Sequence, residues 1–175
     1  LNWDDTTLVA FDRVKEALGS ATLLNHLRPG VQISLMVDAS NLATGAVLQQ
    51  HIQNQWQPIF FSRKLSDTET RYSTFDRELL AIYSAIIHFR HLLEGRDFTV
   101  YTDHKPLTQA LFAKPERYSP RQTRHLDIIS QFTNDIQHIK GEQNVVADVL
   151  SRPNVHAVQS HDSIINFQEI AKLQL

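Results

Sequence analysis

From Val31 to Val37 apolar side chains fall on every second position (Val31, Ile33, Leu35, Val37), the rhythm of a half-buried strand, and the run VQISLMVDAS carries Asp38 at the strand's end. The turn signal Arg28-Pro29-Gly30 precedes it. ATGAVLQQHI and WQPIFFSRKL predict two more strands, joined by a short polar turn at Gln53-Asn54-Gln55, so the three form an antiparallel meander. The rhythm then changes. Between Thr74 and Leu93, Leu79, Ile82, Tyr83, Ile86, Phe89, Arg90 and Leu93 recur at steps of three and four, and Gly95 follows as a stop, which predicts a long amphipathic helix. Ser66 to Glu69 resembles a helix start ahead of it.

DFTVYTD predicts a fourth strand ending on Asp103, followed by a short helix over Pro106 to Phe112. Ser119-Pro120 places an N-cap before a proline at the first helical position and opens a helix that runs to about Gln131. Phe132 to Ile139 predicts a fifth strand, Gly141 breaks it, and Asn144 is expected to cap a short helix over Val145 to Leu150, with Pro153 beyond it. At the ends, Thr7 to Leu18 has helical spacing with Gly19 as its stop, residues 153–161 have no period, and Ile164 to Leu173 suits a last amphipathic helix. This order of strands and helices predicts an α/β layer fold on a mixed sheet.

Length and composition narrow the picture. With 175 residues and 42% hydrophobic content the chain builds one sizeable core and not two, so we expect a single domain with extra segments at its ends. There is no Cys, which excludes disulfides and thiolate zinc sites. No stretch approaches the roughly 20 apolar residues of a membrane span, and no signal-peptide pattern opens the chain, so a soluble cytoplasmic protein is expected. A start at Leu1 instead of Met is expected of a piece of a longer polypeptide. A net charge of −2 removes the globally basic footprint of a nucleic-acid binder. A polyanion would then be held by a local patch or through metal ions.

Against that background four acids stand out. Asp38 and Asp103 each end an apolar strand, the edge at which open α/β sheets bind ligands, although a lone Asp there is ordinarily a turn residue. Glu78 shares its helix face with Ile82, Ala85 and Phe89, so its carboxylate lies at one end of the buried stripe, where charge needs compensation; the alternative is a first-turn Glu favoured by the helix dipole. Asp148, early in the last short helix, reads as a dipole-stabilising acid or as an inward ligand. Converging at one sheet edge, the four make an all-oxygen set of the kind that binds Mg²⁺ or Mn²⁺, and two such ions suit phosphodiester displacement.

VDASNLATGAVLQQ, PIFFSRKL, STFDRELLAIYSAI, FTVYTDHKPL and HIKGEQNVVADVLSR, in that order, resemble the ribonuclease H domain of reverse transcriptases from gypsy-type LTR retrotransposons. The resemblance runs from about Trp3 to Arg152. It implies a ribonuclease H-like fold, a five-stranded mixed sheet flanked by helices, and an endonuclease that cuts the RNA strand of RNA–DNA hybrids, leaving a 5′ phosphate and a 3′ hydroxyl. It also implies two Mg²⁺ ions, replaceable by Mn²⁺, with Asp38 bridging both, Asp148 helping to hold the ion that activates water, and Glu78 with Asp103 holding the other. Residues 1–30 would then connect to the polymerase part of the same polyprotein, residues 31–152 would be the ribonuclease H domain, and residues 153–175 would lead toward an integrase. Virus-like particles in the cytoplasm are the implied location.

His138 stands ten residues before Asp148, where relatives carry a His that assists product release or, in some elements, a Tyr; the loop here differs in length by about one residue, and a plain strand His remains the other reading. His104 lies in the DHKPL motif, to contact substrate or position Asp103, or simply as a turn residue. Candidate contacts to the hybrid are Ser62, Arg63 and Lys64, Ser73 and Arg77, and Lys105. A further basic cluster, Lys114, Arg117, Arg121 and Arg124, is a phosphate contact or a solvated face. Two rivals stand beside the nuclease: an inactive retroelement-derived connection module, and an integrase or other nuclease of the same fold, which the order Asp, Glu, Asp, Asp fits poorly.

Overall fold

The computed structural model describes residues 27–152, together with Val9, Asp12 and Arg13. Those three are helical, as the spacing over Thr7 to Leu18 predicts. The rest of that helix, the segment 153–161 and the helix expected over Ile164 to Leu173 lie outside the described residues.

Strands β1 (Ile33–Ala39), β2 (Ala43–Ile52) and β3 (Gln55–Lys64) form the meander. Gln53 and Asn54 both take positive φ, 50° and 64°, in the two-residue turn that links β2 to β3 and whose twist matches the strands. Helix α1 (Thr74–His88) follows, then a single helical turn α2 (Arg90–Leu93), β4 (Thr99–Thr102), a 3-10 stretch over Lys105–Phe112, helix α3 (Pro120–Ser130), β5 (Ile136–His138) and helix α4 (Val145–Ser151). The sheet order is β3-β2-β1-β4-β5, with β1 antiparallel to β2, β2 antiparallel to β3, β4 parallel to β1 and β5 parallel to β4. This is the five-stranded mixed sheet of three antiparallel and two parallel strands that the sequence predicts.

The central strand β1 is covered on both faces. Ile33, Leu35 and Val37, with Ala46 and Leu48 opposite them on β2, join the core beneath α1 and α3. By the alternation of a strand, Met36 and Asp38, with Val47 and Gly45 opposite, point to the other face, which α4 covers. Two parts of the sequence reading need correction. The helix expected over Thr74 to Leu93 is interrupted at Phe89, although Phe89 and Leu93 stay in the buried stripe. The fifth strand is shorter than Phe132 to Ile139, because the Phe132 and Thr133 amides still close turns onto the Ile129 carbonyl and the Thr133 hydroxyl bonds Phe98 instead.

Candidate active site

The parallel pairing of β1 with β4 sets Met36 beside Tyr101, so that two residues further along each strand Asp38 and Asp103 leave the same sheet edge side by side. Helix α1 brings Glu78 to that edge. Its start is fixed by the Ser73 hydroxyl, which accepts from the Asp76 amide, and by Asp76, which binds Arg121 at 3.0 Å and the Gln122 side chain at 2.8 Å at the start of α3. Leu79, Ile82 and Ile86 then bury the helix face, and Glu78 goes in with them. Carboxylate oxygens of Asp38, Glu78 and Asp103 all lie within 4.8 Å of one another.

Such proximity is electrostatically unfavourable in the absence of a cation. Burial, and then the charges of Asp38 and Asp103, push the Glu78 carboxyl up to about 9, only partly countered by the Ala39 backbone and Arg77. Asp38 is raised as well, chiefly by burial, with Asp103 and Asp148 adding to it. One Glu78 oxygen, Oε2, is buried with no hydrogen-bond partner among the described residues. Three carboxylates crowded at one edge, one of them with an orphaned oxygen, are a hard-oxygen donor set of the kind that suits Mg²⁺ or Mn²⁺.

Asp148 lines the same cleft, together with Ser40, Asn41 and Leu42, yet its side chain is 35% exposed and turns to Arg152, at 2.5 Å. The helix that carries it is seated with unusual closeness. The Asn144 amide donates to the Val37 carbonyl at 2.7 Å, the Ser62 hydroxyl to the Leu150 carbonyl at 2.6 Å, and the Ser40 hydroxyl to the Ser151 carbonyl at 2.5 Å. Asn144 therefore stands at the cap position as expected, but its side chain makes no capping bond and serves the strand instead. Ser151, fully buried, donates its hydroxyl to Asp38 Oδ2. Ser151, Ser40, Gly45 and Arg152 went unassigned in the sequence; the available signal was that Ala147 and Ser151, four apart, share one helix face flanking Asp148.

The remaining candidates divide. His138 is exposed at the end of β5, in register with Thr102 and so one strand away from Asp103. His104 sits edge-on to Phe75 at 5.9 Å, and partial burial lowers its pKa despite Asp103 beside it. Lys64 and Lys105 are exposed with no side-chain partner among the described residues. Arg63 is spent on a two-bond pair with Glu69, and Arg77 donates to the Tyr72 carbonyl at 2.8 Å. Ser62 and Ser73 hold helices, as described. In the other cluster Arg121 stacks over Tyr72, 3.7 Å from the ring centre, while pairing with Asp76.

Residues 3–100 match the family model of the RNase H-like domain found in reverse transcriptase. The chain belongs to this family. The matched stretch contains Asp38 and Glu78 and ends before Asp103 and Asp148. Over 173 residues this RNase H-like domain is 34% identical to the Transposon Tf2-3 polyprotein of Schizosaccharomyces pombe, an alignment that covers 94% of the chain and 13% of the polyprotein. It thus spans about an eighth of the curated relatives it matches. Among solved structures it is similar to the foamy viral protease-reverse transcriptase dRH in complex with ds DNA, with a TM-score of 0.58 and 18% identity over 79% of this chain and 27% of that one. RNase H1 from the archaeon Halobacterium salinarum gives a TM-score of 0.52 and 18% identity over 68% of this chain and 93% of that one. The RNase H-like domain described here therefore has the ribonuclease H fold of these neighbours.

Proposed function

We propose that this domain is an endonuclease that hydrolyses the RNA strand of RNA–DNA hybrids during retrotransposon reverse transcription. The observation that carries the reading is the buried Glu78 carboxyl, one oxygen of it unpartnered among the described residues, crowded against the carboxylates of Asp38 and Asp103. A fold alone has no use for such repulsion, whereas a site that accepts divalent cations needs it. Asp38 would be shared by two Mg²⁺ ions, with Mn²⁺ able to replace them; Asp148 would help to hold one, and Glu78 with Asp103 the other. Bound there, the ions supply the positive charge that an in-line phosphodiester displacement needs, favouring ionisation of the attacking water and stabilising the leaving 3′ oxygen.

The chain's own residues do the rest. Asp38 on β1 and Glu78 on α1 are buried in regular elements and Asp103 directly follows β4, so little reorganisation would accompany reaction. Lys64 and Lys105, both exposed, would position the phosphate backbone without reading sequence, and discrimination of RNA from DNA would rest on 2′ hydroxyls across the shallow minor groove. His104 would bound the cleft beside Asp103, and His138, at the neighbouring strand end, would act in product departure. Arg63, Arg77, Ser62 and Ser73 would support that surface from below instead of touching the hybrid. Residues 31–152 would form the nuclease unit, residues 1–30 the connection to a polymerase domain in the same polyprotein, and residues 153–175 the approach to an integrase, with the whole working in cytoplasmic virus-like particles.

Cleavage of a labelled RNA–DNA hybrid with Mg²⁺ or Mn²⁺ tests this, with duplex DNA and duplex RNA as controls and Asp38→Asn and Glu78→Gln beside the wild type. Metal-dependent, hybrid-only cutting that both substitutions abolish is expected. Cutting that survives either substitution would remove that acid from the site, and no cutting even when the polymerase domain is present in cis would favour a connection module.

A further inference from the structure

The Asp38 carboxylate is tied to helix α4, 113 residues along the chain. Ser151 is fully buried, in the last turn of α4, and its hydroxyl donates to Asp38 Oδ2 while lying 2.9 Å from the backbone carbonyl of Asp148. One hydroxyl thus touches the side chain of one candidate ligand and the main chain of another, across 113 residues of sequence. The Ser151 carbonyl is itself gripped by Ser40, two residues after Asp38, so the contact is made from both directions. A carboxylate at a strand end otherwise rotates freely about its terminal torsion, which is broad. Held by Ser151 at Oδ2, Asp38 keeps its other oxygen, Oδ1, directed away from that contact.

We propose that Ser151 is a positioning residue for the cation site: its hydroxyl fixes the orientation of the Asp38 carboxylate and its distance from Asp148. The inference rests on the metal-dependent reading given above and adds to it a residue outside the four acids. Outer partners that orient a ligating carboxylate typically change metal affinity by about 10- to 100-fold.

The test is Mn²⁺ binding to the full chain without nucleic acid, followed by the electron paramagnetic resonance signal of free Mn²⁺. Ser151→Ala is compared with Ser62→Ala, which removes a β3 hydroxyl that seats the same helix at the Leu150 carbonyl without touching a carboxylate, and with Asp38→Asn; circular dichroism confirms the fold of each. Expected is an affinity about tenfold weaker in Ser151→Ala and within about twofold of wild type in Ser62→Ala. Equal losses in the two serine variants would mean that Ser151 acts only by seating the helix, and a wild-type affinity in Ser151→Ala would mean that it does not act at all; either overturns the proposal. Unchanged binding in Asp38→Asn would instead overturn the metal site itself.

Discussion

A Cβ added to Gly45 would stand 2.3 Å from the carbonyl oxygen of Ala147 and 2.6 Å from the Ser151 amide nitrogen. Gly45 is the antiparallel partner of Asp38, so the residue facing the central acid has no side chain because the helix bearing Asp148 lies directly upon it. The obstructing atoms are backbone and cannot rotate aside. Gly45→Ala should therefore lift α4, cost about 1–3 kcal/mol in urea denaturation and depress hybrid cleavage far more than that loss of stability explains. Full activity in a well-folded Gly45→Ala protein would show that α4 need not sit where it does.

The acids make the cation-free protein sensitive to pH in a direction that can be worked out. Glu78 is raised from 4.5 to about 9 on folding, so between those values the native state holds a proton that the unfolded chain releases. The Glu78 contribution to stability is greatest below about 4.5 and is lost as pH rises toward about 9, by at most about 1.4 kcal/mol per pH unit for one proton. Asp38, also raised, adds in the same sense. In the presence of a chelator, Glu78→Gln should flatten this slope and exceed the wild type in stability at alkaline pH. Denaturation curves across that range decide it, and an unchanged slope would remove Glu78 as the cause.

Divalent cations should reverse that penalty. By mass action, Mg²⁺ at 100 times its dissociation constant stabilises the native state by about 2.7 kcal/mol, provided the unfolded chain does not bind it. Thermal melts at rising Mg²⁺ should climb for the wild type and stay flat for Asp38→Asn. A parallel rise in both would place the effect elsewhere on the surface.

The basic residues should separate into two behaviours. Lys64→Ala and Lys105→Ala are expected to weaken hybrid binding with little change in melting temperature, each reducing the salt dependence by about one phosphate contact. Arg63→Ala, which abandons Glu69, and Arg77→Ala, which abandons the Tyr72 carbonyl, should instead lower the melting temperature. Binding titrations at several salt concentrations beside thermal melts distinguish the groups.

What could be read from the chain, and what could not, follows from the range of the interactions. The meander was legible because period two and a short polar turn are local properties, and α3 because an N-cap at Ser119 directly before Pro120 is local too. The convergence of Asp38, Glu78 and Asp103 was legible because each ends an element or lies on a buried stripe. The break at Phe89 was hidden, since the apolar stripe runs through it uninterrupted. Equally hidden were the commitments of Arg63 to Glu69 and Asn144 to Val37, the latter bridging 107 residues, because a side chain's choice between substrate and scaffold depends on neighbours that only folding supplies.

The span between Asp38 and Ser151 also sets a clock. A ribosome adding about 5–20 residues per second needs on the order of ten seconds to travel from one to the other. During that interval β1, β2, β3 and α1 can emerge and pair, yet the cleft still lacks Asp148, Ser151 and the helix that closes over Gly45. The nascent domain thus lacks its full set of acids until α4 is translated. By the same logic a single protease cut between His138 and Asn144 would separate Asp148 and Ser151 from the other acids while sparing nearly all of the core.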